Sequence, residues 1–181
     1  GESRLLTKLP LGAGVPAWSP DGTRIALSAK TGTPPDPDPK NAKPYRRITS
    51  MKYRLNGQGF TYDQRRHLFV VDVATGNATQ VTDGDWDDTQ PAWSPDGELL
   101  AFVSARHAER EFDSASDLWV VSANGGEARQ VTPTAGARGA PSWSPDGTKI
   151  AHIHHPDWPS NGTLKVIEAD GTGETDASGG I

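Results

Sequence analysis

The sequence predicts an all-β protein, a partial β-propeller of about three four-stranded blades belonging to a larger ring of about seven. One phrase is written three times: residues 16–22 and 91–97 read PAWSPDG, and residues 141–147 read PSWSPDG. The tryptophans at its centre, Trp18, Trp93 and Trp143, lie 75 and 50 residues apart. Flanking markers keep phase with them. An apolar residue and a Thr begin twelve positions before each indole (Leu6-Thr7, Val81-Thr82, Val131-Thr132), and Ile25, Leu100 or Ile150 follows seven positions after. Markers in constant phase define a repeat, and a unit of this size built from short strands is a propeller blade. A β-sandwich has short strands too, but nothing in its packing demands the same turn and indole at a fixed phase.

Each element follows from local chemistry. Pro16, Pro91 and Pro141 bring the chain in extended. Ala17-Trp18, Ala92-Trp93 and Ser142-Trp143 then read as a short buried inner strand, with every indole packed between successive sheets. Ser-Pro-Asp-Gly is a turn: proline presets the first central torsion, and Gly22, Gly97 and Gly147 can take positive φ. Ser19, Ser94 and Ser144, with Asp21, Asp96 and Asp146, can accept local backbone N–H groups there. The second strand is predicted at 24–29, 99–104 and 149–153, and the third at 67–72, 117–122 and 164–168. Asn124-Gly125-Gly126 turns the chain into an outer strand at 128–132, and residues 74–77 and 169–172 occupy the same place in the other repeats. After Gly173 no apolar-Thr pair marks an outer strand.

The repeats span about 16–82, 91–132 and 141–176 of a single partial propeller over 1–181. Stacked blades bury their faces against neighbours, so three alone leave two sheet faces open. Further blades are therefore expected from the same protein, and a homo-oligomer or another partner would meet the same need. Composition agrees with a turn-rich β domain: 20 Gly, 15 Pro and six Trp in 181 residues. The absence of Cys excludes disulfides, thiolate zinc sites and cysteine nucleophiles. A net charge of -5 provides no general attraction to nucleic acid, and the apolar runs are too short for a membrane span.

The first repeat carries an insertion, residues 31–66: Leu27 to Leu68 spans 41 positions where Phe102 to Leu118 spans 16. It opens on the proline-rich run 33–39, extended by composition. It then turns basic and aromatic, with Lys40, Lys43, Tyr45, Arg46, Arg47, Lys52, Tyr53, Arg54 and Asn56. Insertions in regular scaffolds are frequent binding elements. Arg46, Arg47, Tyr53, Arg54 and Asn56 are the candidate residues for lining a substrate path or for docking a neighbouring domain. The run 47–55 suits a strand or hairpin, or a loop with one helical turn.

Other polar clusters read as architecture. The run 83–88, Asp-Gly-Asp-Trp-Asp-Asp, lacks the Gly and Glu that a calcium loop needs at its sixth and twelfth positions, and reads as a solvent-facing crossover between blades. Asp113 and Asp117 read as loop electrostatics beside Arg106 and Arg110. His152 and His154 share a strand face as two metal ligands would, but structural or surface roles are favoured and no metal is assigned. His67 and His107 stand alone. There is no Gly-x-Ser-x-Gly elbow, P-loop, Rossmann fingerprint or zincin helix, so the chain itself is expected to be non-catalytic and free of cofactor.

The WSPDG repeats resemble those of TolB and of the prolyl-oligopeptidase family of serine peptidases. A finer resemblance, to the acylaminoacyl-peptidase branch, runs through residues 46–49, 53–60, 67–72, 83–88 and 117–121. That resemblance implies an α/β-hydrolase domain elsewhere in the parent protein, carrying a Ser-Asp-His triad of which no member falls on this chain. It implies that the propeller acts as a steric filter and lid for short peptides, in the cytoplasm. The alternative is a TolB-like, non-enzymatic interaction propeller in the periplasm.

Overall fold

The computed structural model of the protein describes residues 5–32, 48–55, 59–60, 64–157 and 160–179. Three antiparallel four-stranded sheets follow one another along the chain. The first contains β1 (Ala17–Trp18), β2 (Arg24–Gly32), β5 (Gln64–Asp72) and β6 (Ala78–Gln80) in that spatial order. The second runs β7 (Asp88–Trp93), β8 (Leu99–Ser104), β9 (Asp117–Ser122) and β10 (Arg129–Gln130). The third runs β11 (Ala137–Trp143), β12 (Lys149–His155), β13 (Thr163–Glu168) and β14 (Thr175–Asp176). A short hairpin, β3 (Arg54–Leu55) with β4 (Gly59–Phe60), belongs to the insertion. This is a partial β-propeller.

The repeated turn closes identically in each blade. Gly22, Gly97 and Gly147 have φ of 69°, 72° and 72° and donate their N–H to Ser19, Ser94 and Ser144 carbonyls, each at 2.9 Å. Each serine hydroxyl donates to the aspartate two residues on, and accepts at 2.9 Å the N–H of Arg24, Leu99 or Lys149. Asp21, Asp96 and Asp146 also accept, at 3.0 Å, the N–H two residues further along. These donors hold Asp21 and Asp146 at a pKa of about 2 and Asp96 below its ordinary value, the serine hydroxyl contributing most.

The outer strand is tied back by a second repeated device. Val81 and Val131 donate their N–H to Leu68 and Leu118 carbonyls, and the buried Thr82 and Thr132 hydroxyls accept the Leu68 and Leu118 N–H at 2.9 and 3.0 Å. The third blade has its outer strand as well. Ala177 N–H donates to the Leu164 carbonyl at 2.9 Å, the bond that Val81 and Val131 make elsewhere. The apolar-Thr pair is replaced by Ala177-Ser178, because the bond is made by backbone and tolerates the change of side chain.

The inner strands of the second and third blades are longer than a dipeptide, and a bulge re-aims them. Register shifts between Thr89 and Ala92, and between Gly139 and Ser142, where Gln90 and Ala140 take φ of 55° and 51°. The Gln90 side-chain oxygen accepts the Ala140 N–H at 2.6 Å, so one bulge holds the next.

Two apolar layers separate the three sheets. Ala26, Leu68, Val70 and Val81 of the first meet Trp93, Leu100, Phe102 and Val121 of the second. Ala101, Val103, Leu118 and Val120 on its other face meet Ile150, Ile167 and Trp143 of the third. Trp93 is only 8% exposed, whereas Trp18 is 59% exposed. The expectation that every indole packs between sheets therefore fails at Trp18, which has no sheet in front of it among the described residues.

Candidate functional site

The sheets have two unlike ends. The Ser-Pro-Asp-Gly turns and the Asn124-Gly125 hairpin are short and alike. At the other end Gly32 pairs with Gln64, Ser104 with both Asp88 and Asp117, and Ala137 with His155. Among the described residues the longer connections depart from there: the loop 105–116, the crossovers 83–87 and 133–136, and the two ends of the insertion at Gly32 and Gln64.

At the first joint Asp88 is fully buried at the start of β7. Its carboxylate accepts from Arg106 Nη2 at 2.9 Å and faces His67 Nδ1 across the blade boundary at 3.4 Å. The Arg106 guanidinium lies 4.7 Å from the Trp119 ring centre, 4.8 Å from Trp86 and 5.2 Å from Phe102. Trp86, Arg106 and Trp119 line a cavity of about 400 Å³ with Thr82, Asp83 and Glu127 at its edge. Asp88 is thus an interior ion-pair partner, and the solvent-facing reading of its crossover fails there but holds for the exposed Asp83, Asp85 and Asp87, of which Asp85 pairs with Arg65 at 2.8 Å.

The second joint repeats this position with the charges exchanged. Asp117 in β9 stands one residue before Leu118, as His67 in β5 stands one residue before Leu68, and Arg138 occupies the place of Asp88. Asp117 is fully buried and accepts from the Thr134 hydroxyl at 2.8 Å; desolvation raises its pKa, partly offset by that bond and by His107 and Arg138. It is a core group, not a loop charge. Arg138 donates to Glu174 at 2.6 Å, and the same carboxylate oxygen lies 3.2 Å from His152 Nε2. His152 takes the place of Phe102 in its sheet, and burial, then the Arg138 charge, depress its pKa. His154 on the same strand instead meets the Ala135 carbonyl at 2.8 Å. Among the described residues no group of three or more His, Asp or Glu side chains is placed to hold a metal ion.

The insertion is anchored across the blade boundary. Glu111 accepts from the Ser50 hydroxyl at 2.7 Å and from the Lys52 N–H at 3.1 Å, and Lys52 Nζ donates to the carbonyls of Arg110 and Asp113. Tyr53 is exposed at the edge of this strap, and Arg54 enters β3. Arg46, Arg47 and Asn56 lie outside the described residues. Trp18, Asp21, Gly22, Trp93, Asp96, Gly97, Trp143, Asp146 and Gly147 sit at the inner strands and their turns, far along each sheet from the strap.

The arrangement is suited to joining and presenting surface. A His–carboxylate pair is half of a hydrolytic constellation, but His67 and Asp88 are closed off between sheets. Phase in the repeat was the signal that could have found them: His67 and Asp117 each precede the first Leu of a third strand, and Asp88 and Arg138 each stand five residues before Trp.

Blades of this kind, joined by apolar layers and by an indole bond at each boundary, define a β-propeller of the WSPDG class. The chain belongs to the TolB beta propeller domain family, which matches residues 58–175. It is 32% identical over 108 residues to YuxL, an uncharacterized peptidase of Bacillus subtilis, covering 56% of this chain and 16% of that protein. It is 33% identical over 103 residues to a TolB homolog of Chlorobium luteolum, covering 50% of this chain and 23% of that protein. The crystal structure of TolB from Acinetobacter baumannii superposes with a TM-score of 0.63 at 19% identity, over 96% of this chain and 34% of that one. The matched region thus amounts to less than a quarter of the length of either curated relative.

Proposed function

We propose that this chain is part of a TolB-like, non-enzymatic propeller that binds other proteins through the irregular end of its sheets. One observation carries the reading: the buried groups capable of chemistry are consumed in structural pairs. His67 faces Asp88 across the blade boundary, Arg106 holds Asp88, Thr134 holds Asp117, Arg138 holds Glu174, and the repeated serines donate to their own turn aspartates. Further blades of the whole protein cover Trp18, and the compartment of this reading is the periplasm.

The kinship to YuxL favours a second reading, in which the propeller is the lid and size filter of a serine peptidase in the cytoplasm. There an α/β-hydrolase domain lies elsewhere in the parent protein, and short acylated or unblocked peptides pass the wall that excludes folded ones. Treating the full-length protein with a fluorophosphonate probe and with acetyl-alanine p-nitroanilide separates the two. The interaction reading expects no labelling and no hydrolysis. Stoichiometric labelling with turnover replaces it by the peptidase reading.

A further inference from the structure

The boundary between the first two sheets carries a feature that the boundary between the second and third lacks. Trp86 stands seven residues before Trp93 where the third repeat has Gly136, and Asp83 stands where it has Pro133. Trp119 pairs with Phe102 across β8 and β9, whereas Lys165 pairs with His152 at the same place in the third sheet. Blade packing therefore does not require the cavity that Trp86, Arg106 and Trp119 line. Its wall is closely fitted. Gly84, at φ 114°, lies so near the Trp86 indole that a Cβ there would collide with the ring.

The charges around this cavity are unevenly answered. Arg106 donates to Asp88 at 2.9 Å and to the Ser104 hydroxyl at 3.2 Å, and Asp88 also faces His67. Asp85 pairs with Arg65 and lies 3.6 Å from Arg110, and Asp87 accepts the Arg66 N–H at 2.7 Å. Arg129 donates to the carbonyls of Ala169 and Asp170 in the third repeat. Asp83 and Glu127, by contrast, line the cavity, are exposed, and have no hydrogen bond or ion pair among the described residues. The lining thus sets two unanswered carboxylates against one cation, and that cation is already paired with Asp88.

We infer that this cavity binds a guanidinium or ammonium group on an alkyl stem, the chemistry of an arginine or lysine side chain. The stem lies along the indoles of Trp86 and Trp119, as long cationic side chains cover apolar surface, and the head meets Asp83 and Glu127. An anion is opposed by both carboxylates. A bare metal ion finds too few ligands, because among the described residues no group of three or more His, Asp or Glu side chains is placed to hold one. The inference goes beyond the interaction reading: the site stands whether the propeller presents surface or covers an enzyme, and no outcome below depends on labelling of a serine.

The test titrates the full-length protein by calorimetry with acetyl-Gly-Arg-Gly-amide, its lysine and citrulline analogues, and n-butylguanidinium, which has the head and stem without a peptide. NMR follows the indole N–H signals of Trp86 and Trp119 in parallel. Saturable binding of the arginine or lysine peptide is expected, shifting both indole signals, weakening with added salt and absent for citrulline. Tighter binding of the peptide than of n-butylguanidinium assigns the site to a protein side chain; the reverse order assigns it to a free small cation. Asp83→Asn and Glu127→Gln break no bond within the described residues and are expected to leave the melting temperature unchanged. Each is expected to weaken binding about threefold, and the two together about tenfold. Equal binding of the citrulline peptide, unaltered affinity in the double variant, or no saturable binding of any cationic probe overturns the proposal.

Discussion

The indole N–H of Trp93 donates to the carbonyl of Ala17 at 2.9 Å, a bond that crosses from the second sheet to the first. Trp143 makes the same bond to Ala92, the residue before Trp93, at 3.1 Å. Each blade thus reads the inner strand of the one before it through a single donor, and the apolar body of the ring fills the layer between. Arg24 adds a bond in the opposite sense, from the first blade to the Gly97 carbonyl at 2.7 Å, with its guanidinium 4.8 Å from the Trp93 ring centre.

The three tryptophans are therefore unequal in this chain despite nearly identical surroundings in sequence. Trp93→Ala is expected to cost about 3–5 kcal/mol, the range for truncating a buried large aromatic. Trp143→Ala is expected to cost less, the residue being only partly buried. Trp18→Ala is expected to stay within about 0.5 kcal/mol of the parent, as for a surface change. Urea unfolding of the 181-residue chain checks the order, and equal losses at all three positions contradict it.

The threonine ties carry a second prediction. Thr82→Val and Thr132→Val keep shape but remove the acceptor of the Leu68 and Leu118 N–H groups. A buried donor left without a partner costs about 1–3 kcal/mol. Both variants are expected to lose stability in that range and to speed amide exchange at Leu68 or Leu118 selectively, which NMR hydrogen exchange reads directly.

Acid should loosen the blade turns. Asp21 and Asp146 sit at about 2, below their unfolded value of 3.8, and Asp96 is also lowered. A carboxyl depressed on folding stabilises above its unfolded pKa and loses that contribution as pH falls through the folded one. Stability is expected to drop between roughly pH 4 and 2, and Asp21→Asn with Asp146→Asn to flatten the drop. Asp117, raised by burial, works in the opposite direction over its own range.

His152 sets a dependence nearer neutrality. Its folded pKa lies below the ordinary 6.5 because the ring is buried beside Arg138. Above 6.5 both states are neutral; below it the unfolded chain binds the proton more readily, so stability declines as pH falls from 6.5 toward the folded value. His152→Phe copies the residue at the same place in the second sheet and is expected to abolish that decline. Melting curves from pH 7.5 to 5 decide it, and an unchanged slope in the variant counts against His152 as the source.

Much of the fold was legible because its devices are local. A proline, a turn serine, an aspartate and a glycine at fixed spacing close the same hydrogen bonds wherever they occur, so the turns and second and third strands lie close to where the sequence puts them. The bulge was not legible. Gln90 and Ala140 adopt positive φ immediately before proline, and the bond between them joins two blades. The third outer strand escaped for a related reason: its backbone bond survives with Ala177-Ser178 in place of the expected pair.

Of the site, the sequence by itself determined that an insertion rich in cations interrupts the first blade and that no recognisable catalytic motif accompanies it. Tertiary structure alone decided that Ser50 and Lys52 anchor this insertion to Glu111 and the loop around it, and that Asp88 and Asp117 are interior groups. Local spacing specifies which backbone groups bond within a turn. Burial and the pairing of charges depend on which sheet lies opposite, and contacts across 60 or more residues of chain leave no mark in the periodicity of either partner.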